Sequence, residues 1–200
     1  MNVVYVVKNG LYVNLTNQCP CSCSFCIRNN GDGAYGSDSL WLEREPSADE
    51  VMLAFSSYTL SEYDEIVFCG YGEPTERLDV LLDVCKRLKQ TQGLPPIRLN
   101  TNGLSDLINN MPTARLFKNL VDVISVSLNT DTAQSYVELC KPSFGPESFE
   151  ALQKFAMDCK ENEIECLFTI VDVVSRETID GCMKISEKTG IPMRIRKYDA

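Results

Sequence analysis

The sequence contains no histidine, and this absence excludes several common kinds of active site. Without histidine there is no Ser-His-Asp or Cys-His catalytic group, no histidine-ligated zinc and no iron site with two histidines and a carboxylate. The chain also lacks an apolar run of about 18 residues, so no membrane-spanning helix is predicted. Basic residues are fewer than acidic ones, 19 against 28. The net charge of -9 disfavours a nucleic-acid partner, because the chain repels phosphate backbones.

Composition predicts a single domain over residues 1–200. With 44% apolar residues, the chain is long enough to bury about 70% of the surface of its unfolded form. The first residues, MNVVYVVK, lack a basic leader and a small-residue cleavage site, so they predict a strand and not a signal peptide. A cytoplasmic location is expected. Six of the ten cysteines stand singly among apolar neighbours, which predicts small core residues in a reducing compartment.

The other four cysteines lie within eight residues, in the stretch Cys19-Pro-Cys-Ser-Cys-Ser-Phe-Cys26. Cys19, Cys23 and Cys26 have the spacing CxxxCxxC. Three thiolates this close can ligate three irons of a [4Fe-4S] cluster and leave the fourth iron open. With Cys21 included, the stretch could instead form a thiolate zinc site, although such sites normally take their ligands in pairs from two segments. Packed or disulfide-linked cysteines are a third interpretation.

Six segments with strand composition alternate with helices or crossovers of helix length. The strands are predicted at residues 10–16, 65–69, 97–100, 121–129, 164–171 and 192–198. Alternation of this kind implies parallel pairing, and six units are too few for a closed eight-stranded barrel. The predicted fold is therefore α/β, an open (β/α)6 partial TIM barrel whose site lies at the carboxyl ends of the strands.

Three further segments are assigned from local pattern. Ser47 and Glu50 form a capping box that predicts a helix start. Residues 27–46 predict a long loop that covers the cysteine stretch. Residues 136–142 also predict a loop, which would present Cys140 to a substrate.

Polar residues and glycines follow the ends of the predicted strands. They are the cysteines after the first strand, Gly70 to Glu73 after the second, Asn100 and Asn102 after the third, Ser127 and Asn129 after the fourth, Thr169 near the end of the fifth and Arg196 on the sixth. Because parallel strands bring their carboxyl ends to one face, these residues are expected to surround one site. Arg194 and Arg196 alternate on one strand face, and such a pair could hold a carboxylate.

The cysteine motif resembles that of the radical S-adenosylmethionine (SAM) superfamily. In that family CxxxCxxC follows the first strand and has an aromatic residue, here Phe25, before its third cysteine. The resemblance implies that Cys19, Cys23 and Cys26 hold a [4Fe-4S] cluster whose open iron binds SAM, and that Cys21 is a spacer. It also implies reductive cleavage of SAM to a 5'-deoxyadenosyl radical, which abstracts hydrogen from a substrate. The start CPCSCSFC and the short length look most like the small radical SAM proteins linked to TatD-type metallohydrolases.

The same resemblance assigns residues around SAM. The turn with Gly70, Gly72 and Glu73 is similar to the GGEP motif that hydrogen-bonds the SAM amino group, with Tyr71 at the usual position of the second glycine. Asn102, Ser127, Asn129 and Arg196 are also expected around SAM. Cys140 is a candidate hydrogen-atom donor or radical partner.

The leading hypothesis is therefore a radical SAM enzyme with an unidentified substrate. It needs SAM and an electron donor such as flavodoxin or ferredoxin, and the resemblance suggests a TatD-type hydrolase as a further partner. One alternative is a glycyl-radical activating enzyme that acts on a partner protein. Others are a non-catalytic zinc or iron-sulfur binding module, and an electron carrier that binds no SAM.

Overall fold

The computed structural model describes residues 1–34 and 36–198. Tyr35, within the predicted loop, and Asp199 and Ala200, at the end of the predicted domain, lie outside the described residues. One sheet holds seven strands in chain order. They are β1 (Val4–Val7), β2 (Gly10–Val13), β3 (Glu65–Phe68), β4 (Ile97–Thr101), β5 (Val123–Ser127), β6 (Glu165–Val171) and β7 (Met193–Arg196).

Strand pairing confirms the predicted open, mostly parallel sheet. β1 is antiparallel to β2, and every pair from β2 to β7 is parallel. Within the described residues β7 does not pair back to β1, so the sheet is not closed. The predicted N-terminal strand adds one antiparallel edge to the six parallel strands.

Helices connect the parallel strands and cover one face of the sheet. They are α1 (Ala48–Phe55), α2 (Leu78–Leu88), α3 (Ser105–Asn109), α4 (Ala133–Cys140), α5 (Glu147–Glu161) and α6 (Arg176–Thr189). The predicted capping box begins α1, where Ser47 Oγ accepts from the Glu50 amide and the Glu50 carboxylate accepts from the Ser47 amide. No helix in the described residues is long and apolar enough to cross a membrane.

The prediction of a loop at residues 136–142 is wrong, because most of this segment belongs to α4. Thr132 Oγ1 accepts from the Ser135 amide and caps the helix start, and Lys141 ends the helix with a φ of 46°. Tyr136 and Cys140, one helical turn apart, are the buried residues. Ala133, Tyr136, Val137 and Cys140 do have the i, i+3, i+4, i+7 spacing of a helix, but the pattern spans only eight residues.

The two faces of the sheet differ in composition. Apolar side chains such as Leu11, Phe68 and Ile124 are fully buried against the helices in the main core. The alternating positions form the opposite, inner face, where β4 to β7 carry mostly polar residues. The inner-face positions of β4 to β7 are Arg98, Asn100, Val123, Ser125, Ser127, Glu165, Leu167, Thr169, Val171, Arg194 and Arg196. Since side chains alternate along a strand, the helix-covered face stabilises the fold and the inner face is left for a ligand.

Candidate active site

The cysteine stretch forms the loop after β2, at the carboxyl end of the sheet. Its backbone is tied to the last turn of α4, since Ser22 N donates to the Cys140 carbonyl and Ser24 N to the Leu139 carbonyl, both at 3.0 Å. An antiparallel bridge between Cys21 and Pro142 extends this contact. The loop leaves half-buried the three cysteines of the predicted motif, Cys19, Cys23 and Cys26.

Neighbouring thiols favour the thiolate form of two motif cysteines. Hydrogen bonding with Cys21 lowers the pKa of Cys19. Hydrogen bonding with Cys140, and then with Cys21, lowers the pKa of Cys23 to about 4. The same contacts raise the pKa of Cys21 and the pKa of Cys140, which therefore stay protonated. The thiolate is the form of cysteine that ligates a metal.

This arrangement fits a [4Fe-4S] cluster. Three thiols share one loop, two of them are favoured as thiolates, and the positively charged Arg28 side chain lines the same cavity as Cys23 and Cys26. Over residues 1–34 and 36–198, no three His, Cys, Asp or Glu side chains are placed to hold one metal ion. That finding gives no support to a zinc site. In a cluster each thiolate binds a different iron.

The two protonated thiols are buried behind the motif. Cys21 is 4% exposed, and its Sγ accepts from Asn102 Nδ2 at 3.9 Å. Cys140 is 1% exposed, and its Sγ accepts from Asn129 Nδ2 at 3.5 Å. The structure thus places Cys140 against Cys23. Its role as a hydrogen-atom donor stays a prediction.

The two glycines of the Gly70–Glu73 turn allow it to pack against the chain that follows β2. A Cβ on Gly70 would overlap the Asn14 side chain, and a Cβ on Gly72 would overlap the Thr16 carbonyl. Glu73 N donates to the Gln18 carbonyl at 2.8 Å. The turn therefore lies beside the first residues of the cysteine loop, as the strand order predicts.

The carboxylate of Glu73 joins this turn to the segment after β4. It is buried, and Oε1 accepts from the hydroxyls of Thr75 and Thr101, each at 2.8 Å. Oε2 accepts from the backbone amide of Asn102, also at 2.8 Å. Burial raises the pKa of Glu73, against the opposing effect of these hydrogen bonds. Since a carboxylate oxygen can accept two donors, Oε2 retains capacity for an ammonium group.

Tyr71 attaches the long loop at residues 27–46 to the mouth of the sheet. Its Oη donates to the carbonyls of Gly31 and Gly33, at 2.6 and 3.1 Å. Its ring packs edge-on against Trp41, with centroids 5.0 Å apart. No sequence signal indicated this contact, because the two hydrogen bonds join residues that are 40 and 38 positions apart in the chain.

The long loop borders a cavity of about 330 Å³ that opens onto the cysteine stretch. Its lining includes Cys23 and Cys26, together with the cationic side chains of Arg28 and Lys141. The Arg28 guanidinium lies 6.0 Å from the centre of the Trp41 ring. Part of the cysteine loop is therefore reachable from solvent through a basic opening.

Sequence reasoning missed Cys69, which was expected in the core with the other single cysteines. It directly follows β3 on the inner face and is half-buried, whereas the other five are buried. Burial raises the pKa of its thiol, while a hydrogen bond with Asn100 and the positive charges of Arg196 and Arg98 oppose that rise. Cys69 lies two residues after Val67, which faces inward. Because side chains alternate along a strand, this spacing was the signal that could have placed Cys69 on the inner face.

Arg98 was also missed. It forms an ion pair with Glu65 at 2.5 Å, while its Nε is buried without a hydrogen-bond partner in the described structure. Asn100 Oδ1, two residues along the same strand, is likewise buried without a partner. Buried polar atoms rarely lack partners in folded proteins. The inner face near Cys69 therefore offers one donor and one acceptor to a ligand or to water.

The remaining predicted residues divide between two places. Ser127 pairs in register with Thr169 on the inner face, and Arg196 is half-buried on β7. Asn102 and Asn129 lie behind the cysteine loop, where their side-chain amides reach Cys21 and Cys140. Contacts of all these residues with SAM stay predictions.

A family model described as the radical SAM superfamily matches residues 13–185. This chain belongs to the radical SAM superfamily. Membership of this enzyme superfamily implies a [4Fe-4S] cluster and SAM as cofactors, in agreement with the chemistry of the three thiols.

Curated relatives of this radical SAM chain are named for different reactions. The GTP 3',8-cyclase of Limosilactobacillus fermentum is 25% identical over 130 residues, which are 64% of this chain and 36% of the relative. A probable RNA methyltransferase of Dechloromonas aromatica is 24% identical over 203 residues, 98% of this chain and 54% of the relative. The chain thus spans about half, or less, of the length of these relatives.

Two solved structures with bound SAM share the fold. SuiB of Streptococcus suis bound to S-adenosylmethionine has a TM-score of 0.67 at 18% identity, over 97% of this chain and 41% of that chain. The protein anSMEcpe with bound AdoMet has a TM-score of 0.65 at 18% identity, over 94% of this chain and 50% of that chain. At these identities the likeness shows a common architecture.

Proposed function

We propose that this chain is a single radical SAM domain in which Cys19, Cys23 and Cys26 hold a [4Fe-4S] cluster. The bound cluster would supply the electron that cleaves SAM to methionine and a 5'-deoxyadenosyl radical, which abstracts hydrogen from a substrate. The observation that carries this proposal is the set of three half-buried motif thiols on one loop at the carboxyl end of the parallel strands.

The residues proposed to bind SAM surround this loop. Glu73 Oε2 has capacity for the SAM amino group, and Gly70 and Gly72 let the turn pack against residues 14–18, which lead into the cysteines. The other proposed contacts are Asn102, Ser127, Asn129 and Arg196. Each lies at or beside the carboxyl end of a strand from β4 to β7.

We propose that the substrate lies on the inner face. Arg98 Nε and Asn100 Oδ1 are buried there without partners, so a polar substrate group could bind both. The curated relatives are named for a GTP cyclase and a probable RNA methyltransferase, and these names do not indicate one substrate class. The substrate therefore stays unidentified within this proposal.

We propose that the electron donor reaches the cluster through the basic opening. The cavity gives access to Cys23 and Cys26, and Arg28 and Lys141 line it in a chain whose net charge is -9. A flavodoxin or ferredoxin with an acidic surface would meet local positive charge there.

The proposed cytoplasmic location agrees with the ten cysteines, all of which are free thiols. Assignment to the small TatD-linked group, with a TatD-type hydrolase as partner, rests on sequence resemblance.

The test is anaerobic reconstitution with iron and sulfide, followed by reductant and SAM. We expect about four irons per chain and release of 5'-deoxyadenosine. Cys26→Ser should lose both, whereas Cys85→Ala, a change in the buried face of α2, should keep both. Bound zinc, or a cluster that never cleaves SAM, would overturn the proposal.

A further inference from the structure

Two thiols outside the three-cysteine motif contact the motif sulfurs. Cys21 stands two residues from each of Cys19 and Cys23 in the same loop, and Cys23 Sγ lies 3.7 Å from the carbonyl oxygen of Cys140. Interaction with the thiols of Cys140 and Cys21 lowers the pKa of Cys23, and interaction with the Cys21 thiol lowers the pKa of Cys19. Cys140 comes from α4, 117 residues further along the chain than Cys23. Because both extra thiols are buried, water does not compete freely for these contacts.

The side-chain amide of an asparagine donates a hydrogen bond to the sulfur of each extra thiol. Asn102 Nδ2 donates to Cys21 Sγ at 3.9 Å, and Asn129 Nδ2 donates to Cys140 Sγ at 3.5 Å. The orientation of Asn102 follows from chemistry, because its Oδ1 accepts from the Leu104 amide at 2.8 Å and a backbone amide can only donate. The end of Asn102 that faces Cys21 is therefore the donor. With its sulfur accepting from an amide, the Cys21 S–H group is available to donate onward.

Once a motif sulfur ligates iron, it can accept hydrogen bonds from these S–H groups. As a thiol, Cys23 donates to the Cys140 carbonyl at 3.7 Å. As a cluster ligand it has no proton and can only accept, and the Cys140 thiol is beside it. The backbone of Cys21 is held by its bridge to Pro142 and by the Ser22 hydrogen bond to Cys140, so the loop that carries its thiol is fixed against the end of α4.

We propose that Cys21 and Cys140 donate hydrogen bonds to the ligand sulfurs of Cys19 and Cys23 and thereby raise the reduction potential of the cluster. This inference rests on the proposed function, because it requires a cluster on these cysteines. Reduction adds negative charge to the cluster and its sulfurs. Donors to sulfur stabilise the reduced state more than the oxidised state, so the potential rises. Asn102 and Asn129 act as positioning residues, since they orient the donating thiols.

The experiment is an anaerobic redox titration of the reconstituted cluster, followed by electron paramagnetic resonance without SAM. We expect Cys21→Ala and Cys140→Ala to shift the midpoint to more negative potential with full iron content. Cys21→Ser and Cys140→Ser should restore most of the wild-type value, because a hydroxyl can donate from nearly the same position. Cys85→Ala, which removes a buried thiol on α2, should titrate like the wild type.

Three results separate the possibilities. Wild-type potentials in both alanine variants, with about four irons bound, would overturn the inference while leaving the proposed function intact. Loss of iron in both Cys21→Ala and Cys21→Ser would make Cys21 a ligand and would also overturn it. A wild-type chain that binds no cluster would instead overturn the proposed function.

The wild-type protein provides a second measurement that does not depend on variants folding. If the ligand sulfurs accept exchangeable hydrogen bonds, transfer into D2O should shift the iron–thiolate stretching bands in resonance Raman spectra. Unchanged bands would contradict the inference even if Cys140→Ala failed to fold.

Discussion

Removal of the Glu73 carboxylate is expected to destabilise the fold before any cofactor is considered. Glu73→Ala leaves the backbone amide of Asn102 without its acceptor, and a backbone amide cannot rotate to another one. It also leaves the hydroxyls of Thr75 and Thr101 without theirs. The backbone amide of Thr75 loses its acceptor as well. An orphaned buried donor costs about 1–3 kcal/mol, so two fixed backbone amides and two hydroxyls that can rotate to other acceptors together give a loss of roughly 3–5 kcal/mol. Such a loss is a large part of the stability of an ordinary domain.

Glu73→Gln should cost less, about 1 kcal/mol, because the amide can satisfy most of the same groups. Its Oε1 can accept from the Asn102 amide, while its Nε2 donates to the two threonine hydroxyl oxygens. The backbone amide of Thr75, 3.2 Å from the carboxylate in the wild type, then loses its acceptor. The order of stability is therefore wild type, then Glu73→Gln, then Glu73→Ala.

Urea unfolding of the cluster-free chain, followed by circular dichroism, measures these differences. Asp79→Asn, an exposed change in the first turn of α2, is the control and should stay within about 0.5 kcal/mol of wild type. A loss of less than 1 kcal/mol for Glu73→Ala would refute the claim that this carboxylate joins the two segments.

The pH dependence of unfolding gives a second check on Glu73. Burial raises its pKa in the folded chain, so the folded state binds the proton more readily than the unfolded state. This contribution to stability is present at low pH and is lost as pH rises from the unfolded pKa through the raised folded pKa. Glu73→Gln should remove that part of the slope. An unchanged slope would contradict the assigned direction.

Three further predictions concern the loop, the opening and the thiols. Tyr71→Phe removes both hydrogen bonds to the loop, about 1–2 kcal/mol locally, and should speed amide hydrogen exchange in residues 31–34 and 36–40; unchanged exchange there would contradict the attachment. Lys141→Glu should slow reduction by flavodoxin several-fold at low salt but not at high salt, with the exposed Lys184→Glu as control, and equal rates would exclude the opening as the docking site. Because its pKa is lowered to about 4, Cys23 in the cluster-free chain should react with iodoacetamide at similar rates at pH 6 and pH 8; a rise of about two orders of magnitude, as for an ordinary thiol, would contradict this.

Local pattern was sufficient for the sheet and for the edge where the site lies. Strand-length apolar runs that alternate with helix-length segments imply parallel pairing, and the six predicted parallel strands are present. The same local chemistry placed the cysteines, the Gly70–Glu73 turn and Asn102 at one edge, because each directly follows a strand. The capping box at Ser47 was likewise predicted, since it joins residues only three positions apart.

Only the tertiary structure decided what those residues touch. The helix ending at Cys140 was predicted as a loop because its apolar pattern is short, and its packing against the cysteine loop brings Cys140 to Cys23. For the same reason, the contacts of Glu73 were not predicted and Cys69 was missed, since the partners of both residues lie on another strand. Sequence periodicity records which face of its own strand or helix a side chain occupies. The residue opposite depends on how distant segments pack, and a single segment does not contain that information.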